Sequence, residues 1–328
     1  MGPRPSRTVV ALVLVLSGCG SATELPPPAE PAVSPPLRER PAGRVLSLAG
    51  MPEGLAADPR THLVAVGLRD PDRLVLVDGR SGRVVRRVRI AESPRHLQLA
   101  RPGGPVLVPA ERANALVQVA LPSGSATTVP VGRFPHDATA AGRRFFVANE
   151  FGDSVSVVER GRVVRSLPAP VQPGGLAALP DGRVGVIAVR SNALEVYDGR
   201  TLRSLGRTGA GIGPTHIVAA PGRRFFVTDT RGDALLSFGA GPRPHIFDRA
   251  NVPGAPYGIA LDRRRGRLWV TQTAFNRVVE FRLGKRAPTR VRSYPTVRQP
   301  NTVAVDEATG RVFVAGRVRG ELQLLDPR

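Results

Sequence analysis

Three of the five histidines in this 328-residue sequence stand at equivalent points of a repeat, just after a recurrent proline. His96 and His216 follow their proline by two positions, and His136 follows its proline directly. Acidic residues accompany them at the ends of neighbouring strands. Neutral imidazoles and carboxylates bind metal ions and act as general acids and bases. The candidate ligand or metal-binding residues are His96, His136, Asp137, Glu150, His216 and Asp229.

This set of side chains has two interpretations. Convergence near one axis, with Glu111 and Gln272 facing the histidines, would allow acid–base catalysis or the binding of one divalent metal ion. Alternatively, the same side chains form the polar lining of a wet channel. The spacing matches no conventional metal motif, because the histidines are 40 and 80 residues apart. The sequence also has no Walker loop, dinucleotide fingerprint or nucleophile elbow.

A repeat of about 41 residues supplies the elements that position these groups. Each unit begins at one of the recurrent prolines: Pro52, Pro94, Pro135, Pro173, Pro214, Pro256 and Pro300. Most units continue with a short apolar strand, a turn and a second apolar strand. Eight residues after the start of that second strand stands a turn-forming residue, in order Asp72, Asn114, Asp153, Asn192, Asp233, Asn276 and Gly320. Seven such units of four short strands predict an all-β fold, a seven-bladed β-propeller of four-stranded antiparallel blades over residues 44–328.

The last unit lacks a fourth strand, since it ends near Asp326. An unassigned apolar strand, residues 44–48, precedes the first unit. Pairing of this strand with the last blade would remove two exposed sheet edges at once. We therefore expect the N-terminal strand to close the propeller.

Several strands resemble known propeller repeats. Phe146-Val147-Ala148-Asn149 resembles the YVTN repeat, and Pro256-Tyr257-Gly258-Ile259-Ala260 resembles NHL and streptogramin-lyase blades. The resemblance covers about residues 44–328 and implies the fold, which hosts many activities.

The same resemblance suggests candidate catalytic residues. Streptogramin lyases carry a first-strand His followed by Glu-x-His at the end of the second strand. On this resemblance His136 and Glu150 are the candidate catalytic residues, with Gly152 where the second His would stand. A propeller lactonase would need a metal-binding set of Glu, Asn and Asp, and Glu150, Asn149 and Asp229 are of the right types.

The N-terminus has the features of an export signal. Arg4 and Arg7 precede an apolar run at residues 9–16, which is too short to span a bilayer. Leu16-Ser17-Gly18-Cys19 resembles a bacterial lipobox, and Cys19 is the single cysteine. We predict a lipoprotein signal peptide at residues 1–18, and a lipidated Cys19 with a Pro-rich tether at residues 19–43.

Formal net charge is +21, and nearly all of the basic residues are arginines. Arginines concentrate in the turns that join first to second strands and third to fourth strands, which share one face of a propeller. The closing strand begins on that face, so we expect the tether to leave from it and these residues to face the membrane: Arg143, Arg144, Arg183, Arg223, Arg224 and Arg264. Docking on anionic lipid or wall polymer is one interpretation. The other is that arginine simply fills solvent-exposed positions.

The sequence thus predicts a membrane-anchored, extracytoplasmic bacterial lipoprotein. Its expected role is a binding or scaffold protein of the cell envelope, with an envelope protein or a small ligand as partner. The alternative is a propeller enzyme of lyase or lactonase type with a metal-assisted site at the channel mouth. Nucleic acid is not an expected partner, because no set of base-stacking aromatic residues accompanies the arginines.

Overall fold

The computed structural model describes residues 1–2, 25–285 and 287–327. These residues form seven four-stranded antiparallel sheets, each composed of strands that follow one another in the chain except at the closure. The innermost strands of successive sheets contact one another, and the first sheet contacts the last. The predicted seven-bladed propeller is confirmed.

The first strand of the chain, β1 (Arg44–Ser47), belongs to the last blade. Blades 1 to 3 are built, from the innermost strand outward, of β2 (Met51–Ala57), β3 (Leu63–Arg69), β4 (Arg73–Asp78) and β5 (Val84–Arg89); β6 (Gln98–Leu99), β7 (Val106–Ala110), β8 (Ala115–Val119) and β9 (Ala126–Pro130); and β10 (Pro135–Ala141), β11 (Arg144–Asn149), β12 (Ser154–Glu159) and β13 (Arg162–Pro168).

Blades 4 to 6 are built in the same way of β14 (Pro173–Ala178), β15 (Arg183–Ala188), β16 (Ala193–Asp198) and β17 (Ser204–Gly209); β18 (Pro214–Ala220), β19 (Arg224–Asp229), β20 (Ala234–Ala240) and β21 (Pro244–Asn251); and β22 (Pro256–Asp262), β23 (Arg267–Gln272), β24 (Arg277–Arg282) and β25 (Thr289–Pro295). Blade 7 contains β26 (Pro300–Val305), β27 (Val312–Gly316), β28 (Glu321–Leu325) and, outermost, β1. Short 3-10 turns follow the second strands of blades 3 and 6, at Glu150–Gly152 and Thr273–Phe275.

The apolar core lies between neighbouring blades. One cluster joins blades 4 and 5 through residues such as Ile187 and Phe225, and another joins blades 6 and 7 through Trp269 and Val314. Each blade therefore buries both of its faces, which explains why its middle strands are apolar at successive positions.

The turn-forming residues of the repeat connect each blade to the next. The Asp153 carboxylate accepts a hydrogen bond from the backbone N–H of Gln172, just before Pro173, at 2.8 Å. Asn276 accepts one from the N–H of Gln299 in the same way, at 3.0 Å. Most of these turn residues adopt the left-handed backbone conformation that Asn and Asp tolerate. The repeat therefore specifies the junctions between blades as well as the strands.

Closure has the form predicted from the sequence. β1 pairs antiparallel with β28, with Arg44 opposite Leu324 and Ser47 opposite Glu321. Side chains also join the last blade to the first. The His62 Nδ1 lies 2.7 Å from the Asp306 Oδ2, and the Arg311 guanidinium donates to the carbonyl oxygens of Gly79 and Arg80.

We call the side with the turns between first and second strands the arginine face, and the opposite side the histidine face. Several predicted membrane-facing arginines lie on the arginine face, but their side chains form hydrogen bonds with neighbouring blades. Arg144 donates to the carbonyl oxygens of Gly199 and Arg200 in the next blade, and Arg224 donates to Gly284 O. These arginines therefore join adjacent blades, a structural role that neither interpretation of the charge included.

Cys19 and most of the predicted signal peptide lie outside the described residues. Within the described part of the chain, no helix is long and apolar enough to cross a membrane.

The described part of the Pro-rich tether, residues 25–43, packs against the domain, and we call it the strap. Ser34 is 1% exposed, and its backbone N–H donates to the Gln299 side chain at 2.8 Å. Ala29 packs so closely on Gly213 that a Cβ at Gly213 would lie 2.8 Å from the Cβ of Ala29. All these contacts are with loops of the histidine face.

The prediction that the tether leaves from the arginine face is therefore wrong for this segment. β1 does begin near the arginine face, where the Arg44 guanidinium donates to Ser81 O. Strand direction fixes only that starting point. The path of the preceding chain is set by its backbone hydrogen bonds. Ala32 bonds to the side chains of Thr273 and Gln299, and the N–H of Ala42 donates to the carbonyl oxygen of Pro295.

Candidate functional site at the channel mouth

Side chains from six of the seven blades stand on the histidine face, at the starts of the innermost strands. The residue that directly follows the recurrent proline is buried in five blades: Glu53, His136, Thr215, Tyr257 and Asn301. In blade 2 the equivalent residue is Arg95, on the irregular segment before the short strand β6. In blade 4 the equivalent residue is Gly174, which has no side chain. The restricted backbone of the recurrent proline thus places one side chain of each other blade at the start of its innermost strand.

Glutamates and arginines form a paired network within this cluster. Arg95 lies 2.8 Å from the Glu53 carboxylate and 3.2 Å from the Glu111 carboxylate. Arg69 also pairs with Glu111, and Arg317 of blade 7 pairs with Glu53 at 2.8 Å. Pairing satisfies the requirement that buried charges have partners.

His136 and Glu150 form a buried hydrogen-bonded pair. The imidazole Nδ1 lies 2.8 Å from the Glu150 Oε2, and the Gln172 amide donates to the other carboxylate oxygen at 2.8 Å. Burial disfavours the charged carboxylate, but His136 and the two hydrogen bonds outweigh it and lower the pKa of Glu150 to about 2. Glu150 therefore remains ionised and holds the His136 ring in one orientation.

His96 and His216 meet across the ring from blades 2 and 5. Their Nε2 atoms are 3.0 Å apart, so one imidazole donates a hydrogen bond to the other. His96 also contacts the ring of His136, and His216 contacts the ring of Tyr257, each with centroids 4.6 Å apart. Both Nδ1 atoms are buried and make no hydrogen bond of normal geometry with the described residues, although the backbone of Tyr257 interacts with the His216 imidazole.

Burial keeps both imidazoles uncharged. Loss of solvation, together with His136 and Arg95, lowers the pKa of His216 to about 3. The pKa of His96 is also lowered, by burial first and then by His216 and His136. Burial likewise raises the pKa of Tyr257 to about 12. The pair therefore presents neutral nitrogen atoms at neutral pH.

Two of the predicted site residues make other contacts. Asp137 is buried, and its carboxylate accepts the N–H groups of Leu176 and Ala138 and the amide of Gln98. Burial raises its pKa to about 7, against the effect of these hydrogen bonds.

Asp229, also buried, organises loops of blade 5 instead of joining the cluster. Its carboxylate accepts the N–H groups of Ile212, Gly213 and Gly232. The structure thus brings together His96, His136, Glu150 and His216, and gives Asp137 and Asp229 structural contacts.

Glu111, His136 and Glu150 offer ligand atoms within 4.8 Å of one another, a spacing that suits a metal ion. The chemistry around them fits such an ion poorly. Arg69 and Arg95 already neutralise Glu111, and the Arg95 Nε lies 3.4 Å from the His136 Nε2. A divalent cation here would be repelled by the buried guanidinium.

No protein-family profile and no curated protein matches the chain. Solved structures do match. A chain of hydrazine synthase from Kuenenia stuttgartiensis is 17% identical with a TM-score of 0.73, over 85% of this chain and 96% of that chain. A streptogramin B lyase is 14% identical with a TM-score of 0.73, over 86% of this chain and 95% of that one.

A catalytically inactive virginiamycin B lyase from Staphylococcus aureus, solved with quinupristin, is 13% identical. Its TM-score is 0.72, over 87% of this chain and 99% of that one. This chain has the β-propeller fold of these proteins. At this level of identity the likeness extends to the fold alone.

Several residues of the cluster were not predicted: Glu53, Arg69, Arg95, Gln172, Tyr257 and Arg317. For three of them a signal was present, because Glu53, Arg95 and Tyr257 directly follow the recurrent proline, as His136 does. Arg69, Gln172 and Arg317 lie in connecting segments or at strand ends without a repeated pattern.

Proposed function

We propose that the protein is a binding protein of the bacterial cell envelope, anchored through an acylated Cys19, with its ligand site at the histidine cluster. One observation carries the ligand site: the buried Nδ1 atoms of His96 and His216 make no hydrogen bond of normal geometry with the described residues. An unmade buried hydrogen bond costs ~1–3 kcal/mol. A polar ligand that supplies these partners would recover part of that cost on binding.

The charges of the cluster support binding in preference to catalysis. The three glutamates of the cluster are paired with arginines or with His136 and Gln172, so none of these three carboxylates is free to bind a metal ion. Gly152, two residues after Glu150, supplies no side chain where the lyases that this sequence resembles carry a second histidine.

The alternative is a propeller enzyme of lyase or lactonase type. The buried hydrogen bond between His136 and Glu150 favours it, because a carboxylate that orients an imidazole is a common arrangement in general acid–base catalysis. The fold shared with streptogramin B lyases is compatible with this alternative. On this view the ligand would be a substrate, and a divalent ion would assist the reaction.

Calorimetric titration separates the two proposals. The protein is titrated with soluble peptidoglycan fragments, with Zn²⁺ and with Mg²⁺, and compared with His96→Ala and His216→Ala. We expect heat from the envelope fragments with the wild type and its loss in both variants. One tightly bound divalent ion that is lost with His136→Ala would instead favour the enzyme.

Arg143→Glu serves as the matched control, since Arg143 is an exposed turn residue of the arginine face, away from the cluster. Circular dichroism of each variant checks that the propeller is folded. Equal binding by the wild type and both histidine variants would exclude the cluster as the ligand site.

A further inference from the structure

Exposed apolar side chains of the described residues are distributed unequally over the molecule. Five of them stand at the tips of loops on the histidine face, and we call them the apolar tips: Phe151, Val171, Ile212, Phe275 and Val318. Others lie on outer strands, such as Val163 and Phe247. Among the described turns of the arginine face, none carries a large exposed apolar residue.

The apolar tips are too exposed to belong to the hydrophobic core. Phe151 is 49% exposed, Phe275 53%, Ile212 57% and Val318 51%. Three of them lie within blades 3, 6 and 7, and the other two lie on the connections that follow blades 3 and 4, so together they flank part of the channel mouth. Apolar side chains clustered on one face mark a surface that contacts something apolar.

Arginines stand between these tips. Arg133, Arg231 and Arg319 are exposed on loops of the same face. Arginine beside aromatic and aliphatic tips suits the interface of an anionic bilayer, where apolar groups enter the headgroup region and guanidinium groups bind phosphate.

The strap brings the anchor to this same face. The carbonyl of Pro27 accepts a hydrogen bond from Arg231 at 2.9 Å, and the carbonyl of Leu25 lies 3.5 Å from the Arg190 guanidinium. Cys19 precedes Leu25 by six residues, which span ~20 Å at most when fully extended. A lipid on Cys19 therefore cannot lie far from the apolar tips.

We propose that the histidine face docks on the lipid bilayer, with the apolar tips in the headgroup region and the arginine face directed away from the membrane. This inference rests on the proposed acylation of Cys19 for its anchor, and on the apolar tips for its orientation. It reverses the orientation predicted from the net charge. A ligand of the histidine cluster then reaches the site through the space between the domain and the bilayer.

Single-cysteine labelling tests the orientation in the lipidated protein. An acylated Cys19 does not react with a thiol probe, so one engineered cysteine carries one environment-sensitive dye. The positions are Phe275→Cys and Ile212→Cys among the apolar tips, and Ser123→Cys as the control, an exposed turn residue of the arginine face. The protein is reconstituted into vesicles of phosphatidylethanolamine and phosphatidylglycerol.

We expect a blue shift and a several-fold rise in emission at positions 275 and 212, and no change at position 123. An unanchored chain begins at residue 20 and so lacks both Cys19 and the signal peptide. In Phe275→Ser, partitioning of this unanchored chain onto the same vesicles should fall about tenfold, because roughly half of a phenylalanine's burial energy is lost. Phe247→Ser, which removes an exposed phenylalanine from the outer strand β21, should leave it unchanged.

A response at position 123 and none at 275 or 212 would overturn the proposal in favour of docking by the arginine face. No response at any position in an acylated protein would also overturn the proposal. The apolar tips would then contact a protein partner instead of the bilayer. Two dyes per chain would show that Cys19 is not acylated, which refutes the proposed anchor. The vesicle partitioning of the unanchored chain then still decides the orientation.

Discussion

Replacement of His216 by glutamine should change how the free energy of unfolding depends on pH. The imidazole is buried against His96, Tyr257 and the Arg95 network, and its pKa falls from 6.5 to about 3. Between these values the unfolded chain binds a proton that the folded protein does not. His216 therefore stabilises the fold least at low pH, and the loss begins as the pH falls through 6.5.

The size of the effect follows from linkage. One pKa unit corresponds to ~1.4 kcal/mol, so a histidine that stays neutral on folding costs ~2 kcal/mol of stability between pH 7 and pH 5. Three other groups act in the same range or below it. His96, whose pKa is also lowered by burial, destabilises the folded protein further as the pH falls through 6.5. Asp137, whose pKa is raised to about 7, stabilises the folded protein more as the pH falls. The stabilisation from Glu150 is lost only below about pH 4.5.

The difference between wild type and His216→Gln removes those shared contributions. Urea unfolding at pH 7 and pH 5 should show that the wild type loses ~2 kcal/mol more than the variant over this interval. His245→Gln, an exposed histidine on β21, serves as the control and should lose as much as the wild type. Parallel pH profiles for the wild type and His216→Gln would refute the assignment of a buried, neutral imidazole.

Three further predictions concern the anchor and the closure of the ring. Cys19→Ser should leave an unacylated precursor, because serine cannot form the thioether, and mass spectrometry with membrane fractionation would detect this; an acylated variant on membranes would contradict it. Deletion of residues 44–48 should expose β28 and cause aggregation in light scattering, whereas a monomer with unchanged Tm would show that β1 does not close the ring. Arg311→Met should cost ~1–2 kcal/mol in urea unfolding by removing the contacts with Gly79, Arg80 and Asp326, and a change no larger than that of Arg143→Met would contradict this.

The fold was predictable because the repeat is local. Each unit contains a proline, apolar runs, and a turn residue eight positions after the start of the second strand. Each of these features has the same structural role in every blade. Closure was predictable for the same reason, since one blade lacked a strand and one strand lacked a blade. These inferences need no knowledge of side-chain contacts across the ring.

The site was predictable only in part. Positions just after the proline converge by symmetry, which correctly brings His96, His136 and His216 together. Which carboxylates pair with Arg95, and that Asp137 and Asp229 bind backbone N–H groups instead, depends on contacts between blades that spacing does not encode. The path of the strap was unpredictable for the same reason, because its polar partners lie more than 200 residues away.

NMR tests most directly whether a ligand binds at the histidine cluster. With only five histidines in the chain, the imidazole nitrogens can be followed individually by NMR in protein labelled with ¹⁵N-histidine. During titration with soluble peptidoglycan fragments, we expect the signals of His96 and His216 to shift together and those of His62 and His245 to stay fixed. Shifts confined to His62 or His245, or no shift at any histidine when binding is detected calorimetrically, would contradict it.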